Sequence, residues 1–255
     1  MDSFRVIIMH RSIPVLGLLF SVVLSLQAAP PRGVWKMTFD EEFSGNMIDT
    51  NKWNVDNSAL ASVTPGDQGL LSTRLPDNLV IHNGICHFVV KKQETVKGFP
   101  WSTAGIKTRA FHQEYGYFEA RIRYGSASGL NNAFWLDAFT PHPVHYEIDI
   151  NEGHYPNLIN MTVHNWTDGH TSHGSKLVAH DQLMDAFHIY GLLWTPSQLA
   201  WFMDGKIIHI EPATDVRGQM RVLFSTAVLP WAGKADSDLA GTSMDVDWVR
   251  VYQQR

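Results

Sequence analysis

The sequence predicts an all-β domain, and three observations carry that reading. Short runs of β-branched and aromatic residues recur beyond residue 30, and Asn-Gly and Asp-Gly pairs punctuate them. Almost no stretch is long and amphipathic enough to form a helix. The 255 residues are 44% hydrophobic and 18% charged, which excludes a disordered tail or a membrane bundle and leaves apolar surface for a core without staples. The formal charge is −5 and no basic run interrupts the chain, which argues against a nucleic-acid partner. A single cysteine, Cys86, permits no intrachain disulfide.

The N-terminus comes first. Arg5, His10 and Arg11 precede the apolar stretch Ile13 to Leu26, and Ala28-Ala29 follow with small side chains, so residues 1–28 are expected to be a secretory signal peptide. That stretch contains Pro14 and Gly17 and falls short of the roughly 20 residues that span a bilayer, so no stable membrane insertion is expected. Residues 29–255 then form one domain of a secreted or periplasmic monomer, since no Pro-, Gly- or Ser-rich linker divides them. Leu79-Val80-Ile81 and His87 to Val90 flank Asn83-Gly84, while Trp201 to Met203 and Lys206 to Ile208 flank Asp204-Gly205. Both read as tight hairpins. Phe118, Ala120 and Ile122 alternate with Glu119, Arg121 and Arg123, placing one set toward the core and the other in more polar surroundings. Further strands are expected at 130–137, 146–152, 159–166, 187–194, 219–227 and 244–253, a set that suits a sandwich or a closed barrel.

The segment Tyr146-Glu147-Ile148-Asp149-Ile150-Asn151-Glu152 carries the chemistry. Glu147 and Asp149 share one face of a strand, and strict alternation would send Glu152 to the core side, where an unpaired carboxylate is costly. One extra residue near Ile150-Asn151, a β-bulge, returns Glu152 to the face of the other two. Crowded acids raise one another's pKa, so one can hold a proton while another is ionised, the condition that glycoside cleavage requires. After the turn Gly153-His154-Tyr155-Pro156-Asn157, residues Asn160, Thr162, His164 and Trp166 share a face. If the two strands pair, His164 can hydrogen-bond a carboxylate and Trp166 can offer a flat surface to a sugar ring.

At these residues the chain resembles glycoside hydrolase family 16, in the branch with the bulged E-x-D-x-x-E signature. The likeness extends through Phe39-Asp40-Glu41-Glu42-Phe43, Tyr115-Gly116-Tyr117-Phe118-Glu119-Ala120-Arg121, Ala133-Phe134-Trp135-Leu136 and Asp247-Trp248-Val249-Arg250-Val251-Tyr252. The resemblance implies a concanavalin-like β-jelly-roll sandwich of two antiparallel sheets, with an open cleft on the concave face. It implies Glu147 as nucleophile, Glu152 as general acid/base and Asp149 as the residue that positions the nucleophile. The implied activity is that of a retaining endo-β-glycanase on β-1,3- or mixed β-1,3/1,4-glucan, by double displacement and with no required cofactor. It also implies a structural calcium, with Glu42, Gly84 and Asp247 as counterparts of its ligands. Laminarinases typically read G-x-W-P-A-F-W where this chain has Gly129-Leu130-Asn131-Asn132-Ala133-Phe134-Trp135. That change makes a β-galactan of the agar or carrageenan type the alternative substrate.

Other classes are weaker. A non-catalytic polysaccharide-binding protein of the same fold typically lacks the two glutamates, and both are present. His170-Thr171-Ser172-His173, with His164 and His180 nearby, reads as solvated loop histidines rather than a metal site. No Gly-x-Ser-x-Gly elbow supports acyl transfer. Of the nine tryptophans, Trp35, Trp53, Trp194, Trp201 and Trp248 are expected in the core, and Trp101, Trp135, Trp166 and Trp231 in the cleft. Asn131, His164 and those four tryptophans form the expected sugar-binding set.

Overall fold

Both tight hairpins form where the sequence placed them. In the computed structural model, which describes residues 30–57, 69–95, 97–139 and 143–255, Asn83 and Gly84 take φ of 51° and 74°, and Asp204 and Gly205 take 49° and 75°. Positive φ at both central residues is the type I′ geometry that matches strand twist. The expected signal peptide lies outside the described residues.

The described chain contains β1 (Trp35–Glu41), β2 (Trp53–Val55), β3 (Ser72–Arg74), β4 (Leu79–His82), β5 (Ile85–Val89) and β6 (Lys91–Lys92). There follow β7 (Trp101–Thr103), β8 (Gly105–Thr108), β9 (Gly116–Arg123), β10 (Leu130–Ala138), β11 (Tyr146–His154) and β12 (Leu158–Asn165). The last third holds β13 (Thr171–Val178), β14 (His188–Trp194), β15 (Gln198–Met203), β16 (Lys206–Pro212), β17 (Met220–Val228) and β18 (Ser243–Gln254). One layer runs β16-β15-β14-β9-β18-β5-β4, with β1 also paired to β18; the other, concave layer runs β13-β12-β11-β10-β17-β8-β2. Both are antiparallel, giving the two-sheet jelly roll. A small third sheet, β3-β7-β6, contains a parallel pair between β3 and β7 and flanks β17.

Alternation decides what fills the sandwich. Phe118, Ala120 and Ile122 of β9 are buried against Ile148 and Ile150 of β11, Met161 of β12 and Phe224 of β17 within one apolar cluster. Trp53, Trp194 and Trp201 are buried as expected. Glu119, on the opposite face, has the polar neighbours Tyr252, Tyr117 and Arg250 but is fully buried, and burial pushes its carboxyl up to about 7. The segment read as a histidine loop is instead the edge strand β13, paired along β12. No helix among the described residues is long and apolar enough to cross a membrane.

Candidate active site

The bulge forms at the expected place in β11. Against β12, Asp149 faces Thr162 and Glu152 faces Asn160, so Ile150 and Asn151 together oppose Met161. Against β10, the register steps from Asp149 opposite Trp135 to Asn151 opposite Phe134. Ile150 and Asn151 turn into the sandwich, both buried, and Glu152 rejoins the face of Glu147 and Asp149. A bulge leaves a carbonyl without its ladder partner. The indole of Trp201, in the opposite sheet, donates to the Asp149 carbonyl at 3.0 Å.

The three carboxylates line a cleft of roughly 300 Å³ with Asn131, Ala133 and Trp135 of β10, Ser225 and Ala227 of β17, Arg74 of β3, and the loop residues Leu229 and Trp231. Trp166 donates its indole N–H to Glu147 Oε2 at 3.1 Å. His164 Nε2 lies 3.2 Å from Asp149 Oδ2 and 3.9 Å from Glu147 Oε1. Asn131 donates through Nδ2 to Glu152 Oε1 at 2.9 Å. Burial pushes all three acids up. Glu147 and Asp149 titrate as a pair; the Asp149 charge raises Glu147 further, while His164 and the Trp166 N–H act the other way. Glu152 rises to about 8, first from burial and then from Asp149, with the Asn131 hydrogen bond and His164 opposing. Near neutrality this leaves a protonated carboxyl on the residue directly after the bulge, and ahead of it a pair that titrates together, Asp149 the more deeply buried of the two.

Five of the six expected sugar-binding residues reach this cleft. Trp135 lines it with its indole tied to Ser225 Oγ at 3.1 Å, and Trp231 stands half exposed at its wall. Asn131, His164 and Trp166 contact the acids directly. Trp101 does not arrive: it is 6% exposed on β7 and packs with Val90, Ala127, Leu130, Val228 and Leu239 in a second apolar cluster. Its neighbours are apolar on the sandwich side, so burial of the indole wins over exposure to the cleft. His154, Arg74, Trp201 and Ser225 are among the site residues that the sequence reading left out.

Metal chemistry can be tested on the donor sets. Glu147, Asp149 and His164 bring ligand atoms within 4.8 Å of one another, the one such trio among the described residues. His170 instead stacks on Trp166, ring centroids 3.7 Å apart, and His173 pairs with Glu211 at 3.2 Å. Of the residues that the resemblance matches to a calcium site, Arg250 holds the Glu42 carboxylate at 2.8 Å and Arg121 holds that of Asp247, so main-chain oxygens are the donors left to a divalent cation there.

Comparison with known proteins agrees with this geometry. The profile of glycosyl hydrolases family 16 matches residues 73–250. The endo-1,3-1,4-beta-glycanase EglC of Rhizobium meliloti (strain 1021) is 33% identical over 169 residues, covering 63% of this chain and 35% of its own, so this chain spans about a third of that relative's length. A beta-glucanase of Rhodothermus marinus is 27% identical over 247 residues, 86% of this chain and 85% of its own. Among solved structures, the non-specific endo-beta-1,3(4)-glucanase SCLam superposes with a TM-score of 0.79 at 26% identity, over 89% of this chain and 94% of its own.

Proposed function

This chain belongs to glycosyl hydrolases family 16, and from that premise we propose that it is a retaining endo-β-glycanase acting on β-1,3- or mixed β-1,3/1,4-glucan. The observation that carries the proposal is the bulge that gathers Glu147, Asp149 and Glu152 in one groove, where burial raises the pKa of all three. In the first half-reaction the Glu147 carboxylate attacks the anomeric carbon as the bond to the leaving oxygen breaks, and protonated Glu152 gives that oxygen its proton. In the second, ionised Glu152 takes a proton from water, which attacks the same carbon and releases Glu147. The Trp166 N–H holds Glu147, His164 lies between Asp149 and Glu147, and Trp135, Trp231 and the face of Trp166 that His170 leaves uncovered offer flat surfaces to sugar rings. The polymer is the partner; residues 1–28 serve as a secretory leader, and 29–255 act as a single-domain monomer that is secreted or periplasmic. Neither half-reaction needs a metal.

A β-galactan is the second substrate reading, favoured by Asn131, which spends its amide on Glu152 rather than presenting an aromatic face. Glu147→Ala should abolish turnover with folding intact; an active variant overturns the assignment. Glu152→Ala should cripple hydrolysis of polymer yet spare the first step on aryl glycosides with good leaving groups; equal loss on both contradicts the acid role. Profiling oligosaccharides released from laminarin, mixed-linkage glucan, agar and carrageenan decides the polymer, and binding without new reducing ends would indicate a non-catalytic binding protein.

A further inference from the structure

We propose that His154 is a positioning residue for the acid/base: it locks the side-chain amide of Asn131 in the orientation that donates to Glu152. The inference rests on the reading of Glu152 given above. His154 is the last residue of β11, two positions beyond Glu152 and on the same face, and it is 3% exposed. Its Nε2 lies 3.2 Å from Asn131 Oδ1, while the other arm of that amide, Nδ2, lies 2.9 Å from Glu152 Oε1. On the cleft side its ring meets the indole of Trp231 edge to face, centroids 4.8 Å apart.

The hydrogen-bond directions follow from what each group can do. An ionised Glu152 only accepts, so the arm of Asn131 that faces it must be the NH₂. Oδ1 then faces His154 and needs a donor there. Burial, with help from Lys176, pushes the imidazole down to about 4, so the ring is neutral and carries one N–H. That hydrogen must sit on Nε2. With the hydrogen on Nδ1, two acceptors would face each other, and relief by turning the amide would aim Oδ1 at the carboxylate. His154 thus sets which end of Asn131 the acid/base meets when it is ionised, in the half-reaction where it must act as a base. The titratable and charged groups facing Glu152 are Glu147 and Asp149 of its own strand, His154 itself, His164 of β12, Arg74 of β3 across the cleft, Tyr124 beneath it, and His173 and Lys176 of β13.

The test combines kinetics with a measurement on the unaltered protein. His154→Leu should lower kcat/KM on polymer by about 10- to 100-fold, the scale of a misplaced reacting group. It should also move the basic limb of the pH profile up by roughly one unit, because a hydrogen bond to the ionised carboxylate is lost. His154→Gln, whose amide N–H reaches the place of Nε2, should recover part of both. In an Asn131→Ala background, His154→Leu should cost less than about 2-fold more. An equal cost in both backgrounds, or a fixed basic limb, overturns the proposal. Nitrogen-15 NMR of the wild-type imidazole keeps the test independent of whether the variants fold: the Nε2–H tautomer is expected, and the Nδ1–H tautomer overturns it. A Glu152→Ala enzyme still fully active on polymer would instead refute the acid/base assignment, leaving the two failures distinct.

Discussion

Replacing Glu152 with glutamine should make the protein more stable at neutral pH, and the gain should vanish in acid. In the folded protein this carboxyl is held up at about 8, against an ordinary value of 4.5. A carboxyl whose folded pKa is raised contributes fully below its unfolded pKa and costs stability as pH climbs from there through the folded value. Integrated to pH 7, a rise of that size costs about 3 kcal/mol, shrinking to under about 0.5 kcal/mol at pH 4.5. Glutamine carries no proton to lose, and its Oε1 still accepts from Asn131. For a domain of this length the relief corresponds to a midpoint increase of about 5–10 °C near pH 7. Thermal unfolding followed by circular dichroism from pH 4.5 to 8.5 reads it directly. A difference between variant and wild type that stays constant across that range, or narrows toward pH 8, refutes the reasoning, because it would mean that Glu152 is not held protonated by its surroundings.

Other expectations follow from the same geometry. Gly153→Ala should destabilise the fold by about 1–3 kcal/mol or more and depress activity, since a Cβ there would stand 1.8 Å from the buried Tyr124 ring; denaturant titration measures it, and a neutral change contradicts the packing. Trp231→Ala should raise KM on long substrates with little loss of stability, whereas Trp101→Ala should cost about 3–5 kcal/mol of stability through its apolar cluster; a reversed pattern would return Trp101 to the cleft. Chelation with EDTA should leave both activity and unfolding midpoint unchanged, because neither half-reaction draws on a metal and Arg121 already holds the one aspartate of the matched set. A midpoint that falls on chelation and recovers with calcium shows the opposite.

Much of the site was legible because a strand has a strict period. The alternation in Tyr146 to Asp149 left Glu152 out of phase, and the energetic cost of burying it pointed to the bulge at Ile150-Asn151. The same bulge also resets the phase for His154, which was read as part of a turn; carrying the corrected period two residues further puts it beside Asn131. β13 escaped because an exposed edge strand such as Thr171-Ser172-His173-Gly174-Ser175-Lys176 has no apolar side to alternate with. Trp101 and Trp231 illustrate a different limit. Both are tryptophans near loops, and only the tertiary neighbours decide that one fills an apolar cluster and the other faces the groove. Trp201 was correctly placed inside, yet nothing in its local sequence marks the Asp149 carbonyl as its partner, since that contact joins strands from different sheets.

That indole contact makes the rear layer a co-author of the chemistry. A chimera that imports the concave strands of a relative would inherit the acids but not the donor that pins their bend, unless position 201 travels with them. Random mutagenesis of β15 should therefore yield well-folded enzymes of altered turnover, from positions that never meet a sugar. Remodelling aimed at a new polymer has its freedom on the far rim of the groove, and least of it in the hidden tryptophan behind the strand.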